Sequence, residues 1–376
     1  MQKIIVVGAG ILGASTAYHL AKSGADVTLV DRFDLGQATD AAAGIVCPWI
    51  SQRRNKAWYQ LAKGGARYYP TLIEQLKADG ETETGYGQVG AISLHTDTNK
   101  LEKMVERALK RREDAPEIGE IKILSPDETK KLFPPLAEEY SSVYIGGAAR
   151  VNGRELRNAL INASKKHGVK VLQGDVTLIH KNNQVTGIKL NDRTLMADKV
   201  IVTGGAWSSE LLEPLGINFL VTHQKGQIIH LEINDVDTSQ WPVVMPPNDQ
   251  YILSFGKGRI VVGGTHENNV GFDHRVTAGG MNEVLGKALE VAPGLTNSTF
   301  IETRVGFRPF TPGFLPVIGA LPNYEGLLIA NGLGASGLTS GPYLGSELAK
   351  LALGIETELD ISQYEVAGAI EPVDII

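Results

Sequence analysis

Residues 4–31 run from Ile4-Ile5-Val6-Val7 through Gly8-Ala9-Gly10-Ile11-Leu12-Gly13 and an alanine-rich stretch to Gly24, then Val27-Thr28-Leu29-Val30-Asp31. This order predicts a strand, a tight glycine turn, a helix and a second strand ending in an acid, the pattern of a nucleotide-binding βαβ unit. Gly8 permits the turn, Gly10 lets backbone approach a pyrophosphate, and Gly13 lets the helix pack close to the strand. Asp31, about 20 residues past the glycines, stands where a carboxylate accepts ribose hydroxyls. The phosphates rest on the helix N-terminus, where unpaired N–H groups and the positive end of the dipole favour anions. A glycine triad alone is a weak signal, but here its context is complete. Ala14, Ala17 and Ala21 keep one helix face small, and Gly24 ends the helix. The unit predicts a dinucleotide and leaves NAD(P) or FAD open.

At 376 residues the chain has length for two domains or one composite one. A net charge of −6 without a long basic run offers no footprint for nucleic acid, and the Arg53-Arg54 pair reads as a solvated turn. Cys47 is the only cysteine, so no internal disulfide can form and no thiolate metal cluster is expected. The N-terminal apolar run passes directly into the glycine motif, and no stretch approaches the length of a membrane span. These features point to a cytoplasmic protein that neither crosses a membrane nor binds a metal.

Further along, 39–48 is a run of small residues suited to close backbone approach, and 56–78 and 99–113 show helical periodicity, the latter as a solvated charged face. Val89–Leu94 reads as a strand, and 154–167 as a helix. Strands follow at 169–172, 176–180, 184–190 and 199–202, the last entering Thr203-Gly204-Gly205-Ala206-Trp207-Ser208. The first sheet is expected to resume there. Residues 221–233 and 250–264 alternate as antiparallel strands, the second pair turning at Gly256-Lys257-Gly258. Alternation of this kind belongs to a different sheet from the βαβ unit. In 302–312, Arg304, Gly306 and Arg308 share a strand face, with Gly306 leaving room for a ligand beside Arg308. Arg308 lies in an apolar frame of Val305, Phe307, Pro309 and Phe310. A guanidinium there needs a partner, and its fork suits a carboxylate, either of a substrate or of a structural ion pair. Arg304 is expected to have a structural partner. The 326–342 stretch reads as a strand, a glycine-rich loop and a helix N-terminus.

Taken together, GAGILG with Asp31, AAAGI at 41–45, TGGAWS at 203–208, KGQ at 225–227 and GFRPFTPGFLPVIG at 306–319 with its trailing glycine loop resemble the FAD-dependent D-amino acid oxidase superfamily. The nearest members are the glycine oxidases, sarcosine oxidases and D-amino acid dehydrogenases. The resemblance spans the chain and implies FAD rather than NAD(P). It implies an α/β FAD-binding domain, Rossmann-like and of glutathione-reductase type, with an α+β substrate domain built on an antiparallel sheet. The FAD domain is expected to be discontinuous, from 1–84, 148–220 and 308–376, with 85–147 and 221–307 forming the substrate domain. For the cofactor, it implies Gly8, Gly10, Ile11, Leu12, Gly13, Asp31 and Arg32 at the pyrophosphate and adenosine end. Ala38, Thr39, Ala43, Gly44 and Ile45 then follow the ribityl chain and ring edge. Val176 meets the adenine, and Gly204, Gly205 and Trp207 supply a second glycine turn. Leu333, Gly334, Ala335, Ser336, Gly337, Leu338 and Thr339 aim a helix N-terminus at the pyrimidine end of the flavin. For the substrate it implies Arg308 on the carboxylate, Tyr251 lending its hydroxyl, and Ile45 alongside.

The chain also departs from those relatives. Ala335 stands where glycine oxidases carry a second arginine, no cysteine near Arg308 is available to link flavin covalently, and Val261 and Val262 occupy the strand where sarcosine oxidases carry a lysine. Noncovalent FAD is therefore expected. His223 and Cys47 read as structural residues. The implied chemistry is hydride removal from an amino acid or N-alkyl amino acid to flavin N5, giving an imine that hydrolyses, with no dedicated catalytic base and oxygen as acceptor. The alternatives are a dehydrogenase passing electrons to a quinone or carrier protein, and a flavin-binding module without turnover.

Overall fold

A computed structural model describes residues 1–371. The segment expected to run over 308–376 therefore ends, for structural purposes, at 371, and 372–376 lie outside the described residues.

The Lys3–Val7 strand is apolar on both faces and sits in the middle of a six-stranded sheet, with Ile4 and Val6 packed against helices on one side and Ile5 and Val7 against the strands at 176–181 and 184–190 on the other. Its parallel neighbours are Asp26–Asp31 and Lys199–Val202, flanked by Lys170–Gln173 and Leu327–Asn331, with Val317–Ala320 closing one edge antiparallel. The sheet begun at residue 4 does resume at 199. At its carboxyl end Gly8 takes φ +103°, and a Cβ there would lie 2.5 Å from the Thr203 carbonyl oxygen. A Cβ on Gly13 would lie 1.8 Å from the Gly8 carbonyl oxygen, so the Ile11–Lys22 helix rests directly on the turn. Thr203 Oγ1 donates to the Val7 and Gly8 carbonyls at 3.0 and 2.9 Å, locking the second glycine turn to the first.

The second large sheet has eight strands in the order Thr299–Phe310, Thr222–Glu232, Arg259–Gly263, Tyr251–Ser254, Val243–Met245, Ala91–His95, Ser141–Ile145 and Ile121–Leu124. Every pairing but Val243–Met245 with Ala91–His95 is antiparallel. Period-two alternation divides its residues between two cores. Ile229, Leu231, Ile252, Ile260 and Val262 pack under the Ala278–Val291 helix through Val284, Ala288 and Val291, whereas Ile228, Leu253 and Val261 join the core shared with the nucleotide-side helices. That 278–291 helix and the short Arg193–Met196 strand, which completes a three-stranded sheet with 176–181 and 184–190, have no counterpart in the sequence reading. The strand is exposed at three of its four positions, so it lacks the alternation that marks a strand. The Thr299–Phe310 strand runs unbroken through 307, where a domain boundary was expected.

Two histidines, one buried and one half-buried, are held in neutral form. His230, 3% exposed, has both ring nitrogens without a hydrogen-bond partner, and burial, with Arg304 nearby, pushes its pKa down to about 3. Burial, reinforced by Lys22, does the same to His19, whose Nε2 lies 2.7 Å from Tyr68 Oη. A folded-state pKa below the unfolded 6.5 gives stability present above pH 6.5 and lost as pH falls toward 3. Stability should therefore drop by about 2 kcal/mol per histidine between pH 7.5 and 5. Urea midpoints at the two pH values check this, and His230→Gln should halve the drop.

Candidate active site

The carboxyl ends of the parallel strands and the inner face of the antiparallel sheet enclose a cavity of about 510 Å³. It runs from Gly8 and Asp31 to Tyr251 and Arg308, a size and shape suited to an elongated ligand.

At one end Asp31 is buried, with Oδ2 accepting from Ala9 N at 2.5 Å and Oδ1 from Phe33 N at 2.5 Å and Gln37 Nε2 at 2.8 Å. A carboxylate has about four lone-pair sites, so these three donors leave about one for a ligand hydroxyl. Arg32 faces three acids, Asp34 at 2.8 Å, Glu210 at 3.1 Å and Asp175 at 3.4 Å, and all four line the cavity beside Val176. The Ile11–Lys22 helix has no side-chain cap at Gly10. Ile11 N donates to Thr39 Oγ1 at 3.0 Å, and a Cβ on Gly10 would meet only that hydroxyl, at 3.5 Å. The backbone there is open to the cavity, as a pyrophosphate requires.

Ala38, Thr39, Ala43 and Ile45 line the middle of the cavity, with Gly204, Gly205 and Trp207 on another wall. Opposite them, Leu333, Gly334, Ala335, Gly337, Leu338 and Thr339 bring up the N-terminus of the Gly337–Leu353 helix, pinned where Thr339 Oγ1 donates to the Ile45 carbonyl at 2.7 Å. Three residues expected at the cofactor lie off the wall. Gly13 is spent on packing against Gly8, Gly44 sits where a Cβ would strike Val151 Cγ1 at 2.3 Å, and Ser336 Oγ accepts from Trp58 Nε1 at 2.9 Å. Gly306 lines the cavity beside Arg308, and because a Cβ there would meet Ala41 Cβ at 2.8 Å and Ala38 Cα at 3.3 Å, it also seats the 38–41 turn of helix.

Segment 36–41 joins the two sheets. Gln37 donates to Asp31 and accepts from Arg157 Nη1 at 3.0 Å, Arg157 pairs with Asp40 at 2.7 Å, and the Asp40 carbonyl accepts from Arg304 Nη1 at 3.2 Å. The Gly36 carbonyl also accepts from Phe307 N at 2.9 Å.

Arg304 and Arg308 lie on one strand face but differ in what satisfies them. Arg304 has the expected structural partner, Glu302, at 2.5 Å. Arg308 donates through Nη1 to Gln224 Oε1 at 3.1 Å and the Thr265 carbonyl at 3.0 Å, and among the described residues no carboxylate lies within ion-pairing distance of it. Its guanidinium lies over Gly226, where a Cβ would come within 2.6 Å of Nη2, and Tyr251 Oη stands 2.9 Å from where a Cβ on Gly263 would be. Burial pushes the Tyr251 phenol upward, partly offset by Arg308, so it stays an O–H donor near neutrality.

The remaining motifs are structural. Lys225 is fully buried between Glu267 at 3.5 Å and Asp273 at 3.7 Å, which ties the 265–273 loop to the strand. His223 stacks on Phe272 at 4.2 Å, and Phe272 in turn on Trp207 at 5.1 Å. Cys47 is buried off the cavity wall, its thiol pushed up to about 12 by burial. Sequence reasoning missed Asp249 and His266, which line the cavity beside Tyr251 and Arg308. Both lie in polar turn sequence, with no periodicity to mark them.

Residues 3–351 match the DAO family of FAD dependent oxidoreductases. The chain belongs to that family. It is 66% identical over 371 residues to the uncharacterized oxidoreductase YurR of Bacillus subtilis, covering 98% of this chain and 100% of that one. Iminodiacetate oxidase from Chelativorans sp. BNC1 superposes with a TM-score of 0.94 at 46% identity, covering 96% of this chain and 98% of its own. Glycine oxidase from Geobacillus kaustophilus gives 0.84 at 26% identity over 97% and 99%. As a member of this family the protein is an FAD-dependent oxidoreductase, and the open backbone at Gly10, the acid at 31 and the helix N-terminus at 337 suit that cofactor. Because the lone thiol is off the cavity wall, FAD should leave with the supernatant on acid precipitation. Yellow colour retained in the pellet would contradict noncovalent binding.

Proposed function

We propose that the protein oxidises an amino acid or N-alkyl amino acid at its CH–NH2 or CH–NH group, with molecular oxygen as electron acceptor. The observation that carries this reading is Arg308, a half-buried guanidinium on the cavity wall that no carboxylate among the described residues neutralises. Such a group favours an anionic ligand, and a planar fork selects a carboxylate. The names of the two structural relatives, iminodiacetate oxidase and glycine oxidase, share one unit, an amine on the carbon next to a carboxylate. Both names also favour an oxidase over a dehydrogenase.

FAD supplies the acceptor for the two electrons of the C–H bond. The chain supplies position. Arg308 takes the carboxylate, fixed from behind by Gln224 and Thr265, and Tyr251 adds a hydroxyl donor. Ile45 and Ile228 give the cavity apolar wall, which restricts water around the reacting carbon. An amine that binds neutral needs no protein base, and holding the C–H bond in one orientation is the main contribution asked of the protein. The imine product then hydrolyses with water to a carbonyl compound and ammonia, or an amine where the substrate is N-alkylated.

An anaerobic screen of glycine, N-alkyl glycines and the alanine enantiomers should bleach the flavin with at least one of them. Hydrogen peroxide should then appear in a one-to-one ratio with substrate in air. Reduction of artificial acceptors without peroxide would instead favour the dehydrogenase, and no bleaching by any amino acid would leave a flavin-binding module.

Arg308→Ala should weaken binding of substrate and carboxylate inhibitors by about 3–5 kcal/mol with FAD retained, since the ligand carboxylate loses the guanidinium that pairs with it. Arg308→Lys keeps the charge and loses the fork, so its effect should be intermediate. Gly226→Ala should also weaken carboxylate binding without loss of FAD, because the new methyl displaces the guanidinium. Inhibitor titrations followed by flavin absorbance compare all three.

A further inference from the structure

Past Arg308 and Tyr251 the cavity wall carries two titratable side chains that play no part in holding a carboxylate, Asp249 and His266. Each is fixed by the carboxylate site itself. Asp249 lies two residues before Tyr251, and His266 follows Thr265, whose carbonyl accepts from Arg308. Asp249 Oδ1 accepts from Lys287 Nζ at 2.9 Å, and Lys287 also donates to Glu283 at 2.8 Å. Asp249 Oδ2 stands 3.7 Å from His266 Nδ1, outside hydrogen-bonding range, so this oxygen is available to a ligand.

The charges around this spot do not cancel. Two carboxylates, Asp249 and Glu283, face one ammonium, Lys287, and the charge of Arg308 is matched once a substrate carboxylate binds. The hydrogen bond from Lys287 holds Asp249 below the usual carboxylate range, while burial and Arg308 hold His266 below the usual imidazole range. At neutral pH the pair therefore presents an ionised carboxylate beside a neutral ring. We propose that Asp249 is a specificity-determining residue: it receives a cationic group on the substrate's tail, distal to the carboxylate held by Arg308, and disfavours a second carboxylate there. This rests on the reading of Arg308 as the carboxylate anchor.

Three ligands of similar length separate the two ideas: pentanoate, 5-aminopentanoate and glutarate, titrated into the FAD-loaded protein and followed by flavin absorbance. The wild type should bind 5-aminopentanoate about 5-fold tighter than pentanoate, a modest ratio because Asp249 is half exposed, and glutarate should bind weakest. Asp249→Asn should abolish the preference for the amine and leave the pentanoate affinity unchanged. A preference that persists in Asp249→Asn overturns the assignment, as does a wild type that binds glutarate tightest or fails to favour the amine. That wild-type order decides the matter even if the variant does not hold flavin. If the wild type binds none of the three, the reading of Arg308 fails and this inference with it. If all three bind equally, only the inference fails.

Discussion

Everything at the nucleotide end depends on one close approach of backbone to backbone, where Gly13 sits on the Gly8 carbonyl and Gly8 sits on Thr203. No side chain fits at either glycine. With both present, the Ile11–Lys22 helix can start directly above the strand ends, and its unpaired N–H groups face the cavity instead of solvent. Thr203, hydrogen-bonded to the Val7 and Gly8 carbonyls, brings the second glycine turn to the same place, so that residues nearly two hundred positions apart share one wall.

The Arg308 end of the cavity rests on a different device. Pairing places Gly226 opposite Gly306 and Gln224 opposite Arg308, so one sheet face carries two gaps and two side chains in alternation. Gly226 gives the guanidinium its bed, and Gly306 gives the 38–41 turn its seat. Arg304 and Arg308 come from the same strand and the same chemistry. What separates them is supply: Glu302 satisfies the first, and among the described residues neutral oxygens alone meet the second. A cation left in that condition has its selectivity built in.

The sequence made the βαβ unit, the return of the parallel sheet at 199 and the antiparallel character of 221–233 and 250–264 readable, because each carries a period or a glycine that only one backbone geometry tolerates. Arg308 and Tyr251 were readable through the blocks around them, and the structure brings both to one cavity. What escaped depended on distant partners. That Gly306 also seats Ala41, and that the Ser336 hydroxyl accepts from Trp58, are settled by residues far away in the chain. Asp249 and His266 sit in turns whose composition says only that they are turns, and their meaning comes from Lys287 and Arg308, supplied by other elements.

Segment 36–41 touches Asp31 through Gln37 and the Thr299–Phe310 strand through Gly36 and Asp40. Ordering six residues carries a conformational cost, and here that cost is common to both ends of the cavity. The Asp31 side and the Arg308 side of the cavity are thus not separately adjustable modules. A change in this stretch made at the Arg308 side also shifts the Asp31 carboxylate, so variation in what the cavity accepts is more readily accommodated at the far rim, where Asp249 is held by Lys287 and not by that segment.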